Sequence, residues 1–249
     1  MGVITKTRVF TPSFWRIYFK SYDVLNKLVP YQRLIGEVCQ ALEVKKTDKV
    51  LDAGCGTGNV TLQIKKLGAE IIGLDNSPVA LKLAAVKKEN QGIEFRLADL
   101  NQPLPFADGT FDKISANHII YSLPQPQKTL AEFYRILKSG GRLVMTNPTT
   151  SPNPVKVFRS HLKLKFLELN QAYSQTAALS CLTLETIKIL PKLIKVGMLN
   201  TLIATLGEKE GFHFFTETDL RKMAQSIGFK ILTTHLCYGD TDLLTIWGK

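Results

Sequence analysis

The chain has little cysteine, and what it has is scattered. Cys39, Cys55, Cys181 and Cys237 lie far apart in the sequence. No CxxC pair and no Cys/His cluster with zinc spacing occurs. A disulfide-stapled fold and a structural metal site are therefore not expected, and four reduced thiols are. No run of eighteen uncharged apolar residues is present, so no transmembrane helix is expected. The first twenty residues lack the apolar stretch of a signal peptide. Gly2 is placed for myristoylation, but Lys6 stands where that pattern needs Ser or Thr. Internal repeats and low-complexity tracts are missing as well. These absences give a cytoplasmic protein as the expectation.

What is present suits one sizeable core. Of 249 residues, 45% are apolar and 21% charged, and mean hydropathy is near zero. Such a balance excludes both a disordered chain and a membrane bundle. Net charge is +11, but it is unevenly spread. Residues 1–49 carry nine Lys/Arg against four Asp/Glu, and residues 151–206 carry seven against two. The stretch between them is nearly neutral, with eleven against nine over residues 50–150. The two basic segments are the candidates for meeting an anionic partner.

From 49 to 147 strand and helix patterns alternate. "KVLDA" predicts a first strand and "GNVTLQIKKLG" a helix closed by Gly68. "AEIIGLD" is a second strand. "SPVALKLAAVKKEN" is a helix with Ser77 as N-cap and Pro78 at its first position. "IEFRLAD" is a third strand and "FDKISANHII" a fourth. "PQKTLAEFYRILKSGG" reads as a helix with a glycine stop, followed by the strand "RLVMTNP". Strands separated by helices of this length imply a parallel sheet covered on both faces. Before this core lies a helical segment rich in aromatics, and after it a proline-bearing linker. Residues 155–206 then read as two or three amphipathic helices. Thr216 caps a helix ending at Gly228, and "KILTTHLCY" and "DLLTIWGK" form a hairpin turning near Gly239 and Asp240.

The densest signal is "KVLDAGCGTGNV", with Gly54, Gly56 and Gly58 directly after a strand. A strand-to-helix turn needs residues without Cβ where a ligand approaches the backbone, and the helix start there offers free N–H groups. A dinucleotide loop reads G-x-G-x-x-G. Here the third glycine comes one position early. Asp75 lies about twenty residues on, where an acid holds ribose hydroxyls.

The run "VLDAGCGTG" resembles the first motif of class I S-adenosylmethionine-dependent methyltransferases. The order of the later signals is similar too: Asp75, "LADL", "LPFADGTFDKISANHIIYSLP" and "EFYRILKSGGRLVMTNP". Upstream, "YFKSYDVLNKLVPYQRLIGEV" resembles the entry segment of methyltransferases acting on ubiquinone and menaquinone precursors and on phospholipid head groups. The resemblance implies a Rossmann-like, doubly wound, mostly parallel seven-stranded sheet with a C-terminal antiparallel hairpin. It implies one methyltransferase domain: a helical N-terminal cap over 1–48, a cofactor-binding core over 49–148, a helical substrate lid over 149–212, and a last helix and two strands over 213–249.

The same resemblance carries roles onto residues. The cofactor would be S-adenosyl-L-methionine, leaving S-adenosyl-L-homocysteine as product, with no metal. Ala53, Gly54, Gly56 and Gly58 would pass beneath its methionine part, and Asp52 would engage the amino group. Asp75 would take both ribose hydroxyls, with Asn76 flanking the adenine. Asp99 would accept from the adenine amine, with the Leu100 N–H on a ring nitrogen. Asn117 would face the carboxylate or the transferring methyl, and Tyr22 would close over the methionine end.

Methyl transfer is an in-line displacement, and an acceptor that must first lose a proton needs a base. His118 and Tyr121, just past the fourth strand, are the candidates, because ligands gather there in open α/β sheets. His161, His213 and His235 are weaker ones. "NHIIYSLP" follows the fourth strand in place of an "NPPY"-type tetrapeptide, which resembles small-molecule enzymes and argues against nucleic acid. The expected acceptor is small and hydrophobic or lipid-like. The basic block 155–206 is expected to form its lid and to touch a membrane surface. An RNA methyltransferase and a non-catalytic S-adenosylmethionine-binding protein are the alternatives. The sequence leaves oligomeric state open.

Overall fold

Val50, Leu51 and Ala53 are fully buried in β1 (Lys49–Ala53), an interior strand of the sheet seen in a computed structural model, which describes residues 9–87, 89, 91–149 and 153–249. Parallel to it run β2 (Glu70–Asp75), β3 (Glu94–Leu97), β4 (Phe111–Asn117) and β5 (Leu137–Pro148). β6 (Lys230–Cys237) and β7 (Asp242–Gly248) form an antiparallel hairpin whose second strand inserts beside β5. The order across the sheet is β3-β2-β1-β4-β5-β7-β6. The strand order reverses between β1 and β4, and in open α/β sheets that is where ligands bind. The expected doubly wound seven-stranded sheet is the one observed.

Helices cover both faces, each over its own apolar cluster. α5 (Pro126–Ile136) and α8 (Glu217–Ile227) bury Leu130, Phe133, Leu220 and Ala224 against Phe111, Ile114 and Trp247. On the other face, α2 (Val29–Leu42) and α3 (Asn59–Lys66) bury Val38, Leu42 and Ile64 against Val50 and Val144. α1 (Pro12–Tyr22) leads into α2 through a 3-10 turn over Asp23–Lys27. Two helices, α6 (Pro154–Ala172) and α7 (Gln175–Leu206), fill the interval between β5 and α8. The early expectations about residues 1–8 and the middle of the proline linker lie outside the described residues.

Three local differences from the sequence pattern have physical causes. α4 (Pro78–Ala85) has the expected Ser77 cap, which accepts from the Ala80 N–H at 3.2 Å, but it stops five residues early. Lys87 is drawn away to three oxygens beside the glycine loop. α5 ends at Ile136 rather than at the glycines. Leu137 is fully buried and pairs with Phe111 in the sheet, while the Lys249 ammonium donates to the Tyr134 and Leu137 carbonyls at 2.6 and 2.7 Å. α7 runs 32 residues straight through Pro191. Although no eighteen-residue run is free of charge, α7 is long and apolar enough by length and composition to cross a membrane.

Candidate functional site

All three loop glycines adopt the left-handed backbone, with φ of 74° at Gly54, 53° at Gly56 and 77° at Gly58. Other residues visit that region at a cost. At Gly54 the demand is also steric, since a Cβ there would come within 2.6 Å of Ile119 Cγ1. The loop is tied to the end of β2: the Gly54 and Cys55 N–H groups both donate to the Leu74 carbonyl at 2.8 Å. Asp75 continues the tie. Its Oδ2 accepts from the Gly56 N–H and its Oδ1 from the Ser77 N–H, each at 2.8 Å. Burial pushes the Asp75 carboxyl above its ordinary value despite those donors. Asp52, at the end of β1, is 1% exposed and accepts from the Thr61 hydroxyl at 2.6 Å. Burial raises it to about 6.

The loop is clamped from outside by the entry segment. Asp23 accepts from the Thr57 hydroxyl at 2.7 Å and from Lys87 Nζ at 2.9 Å. Asn26 donates to Asn59 Oδ1 at 3.0 Å, and Lys87 Nζ also donates to that atom and to the Thr57 carbonyl. The hydroxyls of Tyr22 and Tyr31 lie 3.0 Å apart across the same junction. Tyr22, Asp23 and Asn26 of the entry segment therefore fasten a helical cap onto the glycine loop. Sequence reasoning assigned only Tyr22 a role there and missed Asp23, Asn26 and Lys87, whose partners are remote in the chain.

Above the loop opens a cavity of about 1210 Å³, more than one drug-sized ligand fills. Asp52, Gly54, Gly56, Asp75, Asn76, Asn117, His118, Tyr121 and Tyr22 all border it. Ala53 and Gly58 shape the loop from outside the lining. Asp99 also lies off the lining; it is exposed and accepts from both nitrogens of Asn101, at 3.0 and 2.8 Å. Leu100 is buried, its carbonyl accepting from the Thr129 hydroxyl at 2.8 Å. Asn101 borders the cavity at that end.

The lining is chemically lopsided. Four carboxylates border the cavity, from Asp52, Asp75, Glu210 and Asp242, and among the described lining residues there is neither Lys nor Arg. In a chain of net charge +11, that pattern repels a pyrophosphate or a nucleic-acid backbone and suits a ligand that carries positive charge and hydroxyl groups. Much of the remaining lining is apolar: Leu25, Leu28, Ile35 and Val38 of the entry segment and α2, Val157 of α6, Leu193 and Val196 of α7, and Trp15 and Tyr18 of α1.

One base candidate has a partner that sequence could not supply. His118 follows β4 with φ of 51°, and its backbone N–H donates to the Thr146 carbonyl at 2.9 Å. Its Nε2 pairs with Asp242 Oδ2 at the start of β7. Asp242 is 3% exposed, and its other oxygen accepts from the Thr241 hydroxyl at 2.9 Å. A carboxylate that accepts at Nε2 puts the ring proton there and leaves the Nδ1 lone pair free. Asn117 donates to the Ser115 hydroxyl at 2.5 Å and stays at the cavity edge. Tyr121 is buried, which pushes its phenol well above the ordinary range and unsuits it as a base. His161 accepts from the Val29 N–H at 3.2 Å, a structural joint between α6 and α2, and burial lowers its pKa. His213 and His235 stand off the cavity; His235 lies 3.5 Å from Glu37.

A family model described as a methyltransferase domain matches residues 44–216. Over 130 residues the chain is 35% identical to a demethylmenaquinone methyltransferase of Thermus thermophilus, a match covering 50% of this chain and 59% of that protein. Over 129 residues it is 31% identical to a sterol 4-C-methyltransferase of Caenorhabditis elegans, covering 51% and 39%. The chain thus spans less than two thirds of these relatives. Among solved structures, a SAM dependent methyltransferase from Aquifex aeolicus superposes with a TM-score of 0.59 at 15% identity, covering 96% of this chain and 98% of that one.

Proposed function

The chain belongs to the family of methyltransferase domains, and from that premise we propose that it is an S-adenosylmethionine-dependent methyltransferase acting on a small hydrophobic, lipid- or quinone-like acceptor. The observation that carries the reading is the make-up of one cavity: the carboxylates of Asp52 and Asp75 border it with the glycine loop, no Lys or Arg is among its described lining residues, and much of the rest of the lining is apolar. The residues fit the cofactor. Asp75 lies at the end of β2, where ribose hydroxyls can share its two oxygens. Asp52 offers a buried carboxylate that the cofactor's ammonium group would neutralise. The glycine loop leaves room for the methionine part.

Bound there, S-adenosylmethionine supplies a methyl group on a positively charged sulfur, ready for in-line attack. The chain's own residues would align the acceptor and keep water out, which is most of what such a displacement needs. His118, oriented by Asp242, would take a proton at Nδ1 from a phenol, enol or similar acceptor. The relatives' names, a demethylmenaquinone and a sterol methyltransferase, support an acceptor of that greasy kind. The reading places the protein in the cytoplasm with peripheral membrane contact through the basic block 155–206. An RNA substrate is disfavoured by the missing Lys and Arg, and a non-catalytic role by the open acceptor chamber.

Calorimetric titration of S-adenosylmethionine against wild type and Asp75→Ala tests the core of this reading. Wild type is expected to bind and the variant to bind much more weakly. Equal binding by both, or binding by neither, overturns it.

A further inference from the structure

The most apolar stretch of the surface is one face of α7. Leu184, Ile187, Ile194, Met198 and Leu202 are all exposed, Met198 by 64%. Their spacing of three, four and seven residues keeps them on one side of the helix. Leu182, Leu193, Val196 and Ile203 occupy the opposite side and are buried against the protein. Of the helix's most apolar eighteen-residue window, only 11% is buried. So long an uncovered apolar stripe is unusual on a protein that meets only water.

Charge accompanies the stripe. Lys188, Lys192 and Lys195 are exposed along its flank, and no Asp or Glu occurs in α7 after Glu185. α1 packs beside α7 and adds exposed Ile17 with Arg16 and Lys20. Among the described residues none of these five cations pairs with a carboxylate. The stripe also coincides with the chamber mouth, because Ile194, Met198 and Leu202 border the cavity as well as facing outward.

We propose that the outer face of α7, with that of α1, seats the protein on an anionic bilayer, and that the acceptor enters the chamber sideways from the lipid past Ile194 and Met198. A spanning helix is disfavoured, since α7 carries three lysines near its middle and its back is held by the protein core. An apolar stripe flanked by lysines is the composition of a helix lying in the lipid interface. Lysines near such a surface gain from anionic head groups, and the acidic cavity lining keeps those head groups out of the site. The route of entry rests on the reading of the site as a methyltransferase for a lipid-like acceptor; the seating does not.

The experiment is sedimentation of the full chain with phosphatidylcholine vesicles, alone or containing phosphatidylglycerol, alongside calorimetry with S-adenosylhomocysteine. Wild type is expected to bind the anionic vesicles. Ile187→Glu, and separately the triple change Lys188→Gln, Lys192→Gln, Lys195→Gln, are expected to weaken that binding at least about tenfold. These residues lie off the cavity, so S-adenosylhomocysteine affinity is expected to be unchanged and reports on folding. Brominated acyl chains are expected to quench Trp15, which borders the cavity on α1, while Trp247 is fully buried. No affinity for anionic vesicles, or a stripe that proves to hold two copies together until Ile187→Glu separates them, overturns the proposal. Vesicle binding without S-adenosylhomocysteine binding would instead sink the methyltransferase reading and leave the seating intact.

Discussion

Asp242, the first residue of β7, holds the imidazole of His118, which follows β4 and lies 124 positions earlier. Two distant strand ends meet only because β7 inserts beside β5. Asp242→Asn is expected to lower kcat about 10²-fold with little change in cofactor affinity, because the amide carries no charge and can turn its NH2 toward Nε2, so the ring proton is no longer fixed there. Asp242 touches the base and not the reacting atoms, so it is a positioning residue. His118→Ala should cost a similar factor, and the double variant little more, since the two act as one unit. Steady-state kinetics beside calorimetry checks this. Independent, multiplying losses would argue against a coupled pair.

Asp75 serves both the ligand and the loop. Its oxygens already accept from Gly56 and Ser77. Asp75→Ala is expected to weaken S-adenosylhomocysteine binding by roughly 3 kcal/mol, or about 10²-fold, two hydrogen bonds to a charged group being lost together. Asp75→Asn retains one oxygen acceptor and should fall between the two. Titration of the three proteins ranks them.

Asp52 predicts opposite effects on stability and binding. Its carboxyl is raised to about 6 by burial. A raised acid contributes stability that is fully present below its ordinary range and lost as pH rises through the folded value. Well above that pH the free protein holds an unpaired buried charge. Asp52→Asn keeps a partner for Thr61 and removes the charge, so it should raise Tm by a few degrees at alkaline pH, corresponding to about 1–3 kcal/mol. The gain should fade as pH falls well below about 6, and S-adenosylhomocysteine should bind the variant more weakly. Thermal scans across pH, with and without that ligand, give both signs at once.

Gly54→Ala tests whether the loop needs glycine for space, for backbone, or for both. The left-handed φ of 74° costs any other residue about 1–2 kcal/mol. The new Cβ would also meet Ile119 at 2.6 Å. Gly54→Ala should therefore destabilise the protein and reduce cofactor affinity. Adding Ile119→Ala should recover only the steric part. Full recovery in the double variant would mean that backbone strain contributes nothing there.

The parts of this molecule that sequence revealed are those encoded locally. β1, the glycine loop and the Ser77 and Thr216 caps each depend on residues a few positions apart, and spacing alone places them. The parts it concealed depend on partners far along the chain. α4 stops early because Lys87 answers Asp23, 64 positions away. α5 stops early because Lys249 caps it from the C-terminus. His118 was visible as a candidate, but Asp242 was not, since nothing near either residue marks the other. The lysine-rich block showed its charge, while its bare apolar stripe emerged only when the buried side of α7 was known.

Lys87 offers the sharpest test of how the entry segment works. Its ammonium reaches Asp23 Oδ1, the Thr57 carbonyl and Asn59 Oδ1, all within 2.9 Å. The side chain is 21% exposed and Asp23 is 44% exposed, so the ion pair itself is screened and contributes little. What the lysine does is geometric: one donor group joins the cap, the loop and the start of α3. Lys87→Met keeps the aliphatic stem and removes the three hydrogen bonds. Global stability should fall by only about 1 kcal/mol. Amide exchange should rise much more, and locally, over residues 22–26 and 54–59 on both sides of the lost clamp. If the cap closes the cofactor end, S-adenosylhomocysteine should restore protection to both segments together. Restoration of the loop alone would mean that cap and loop open independently, and that Tyr22 plays no part in holding the ligand.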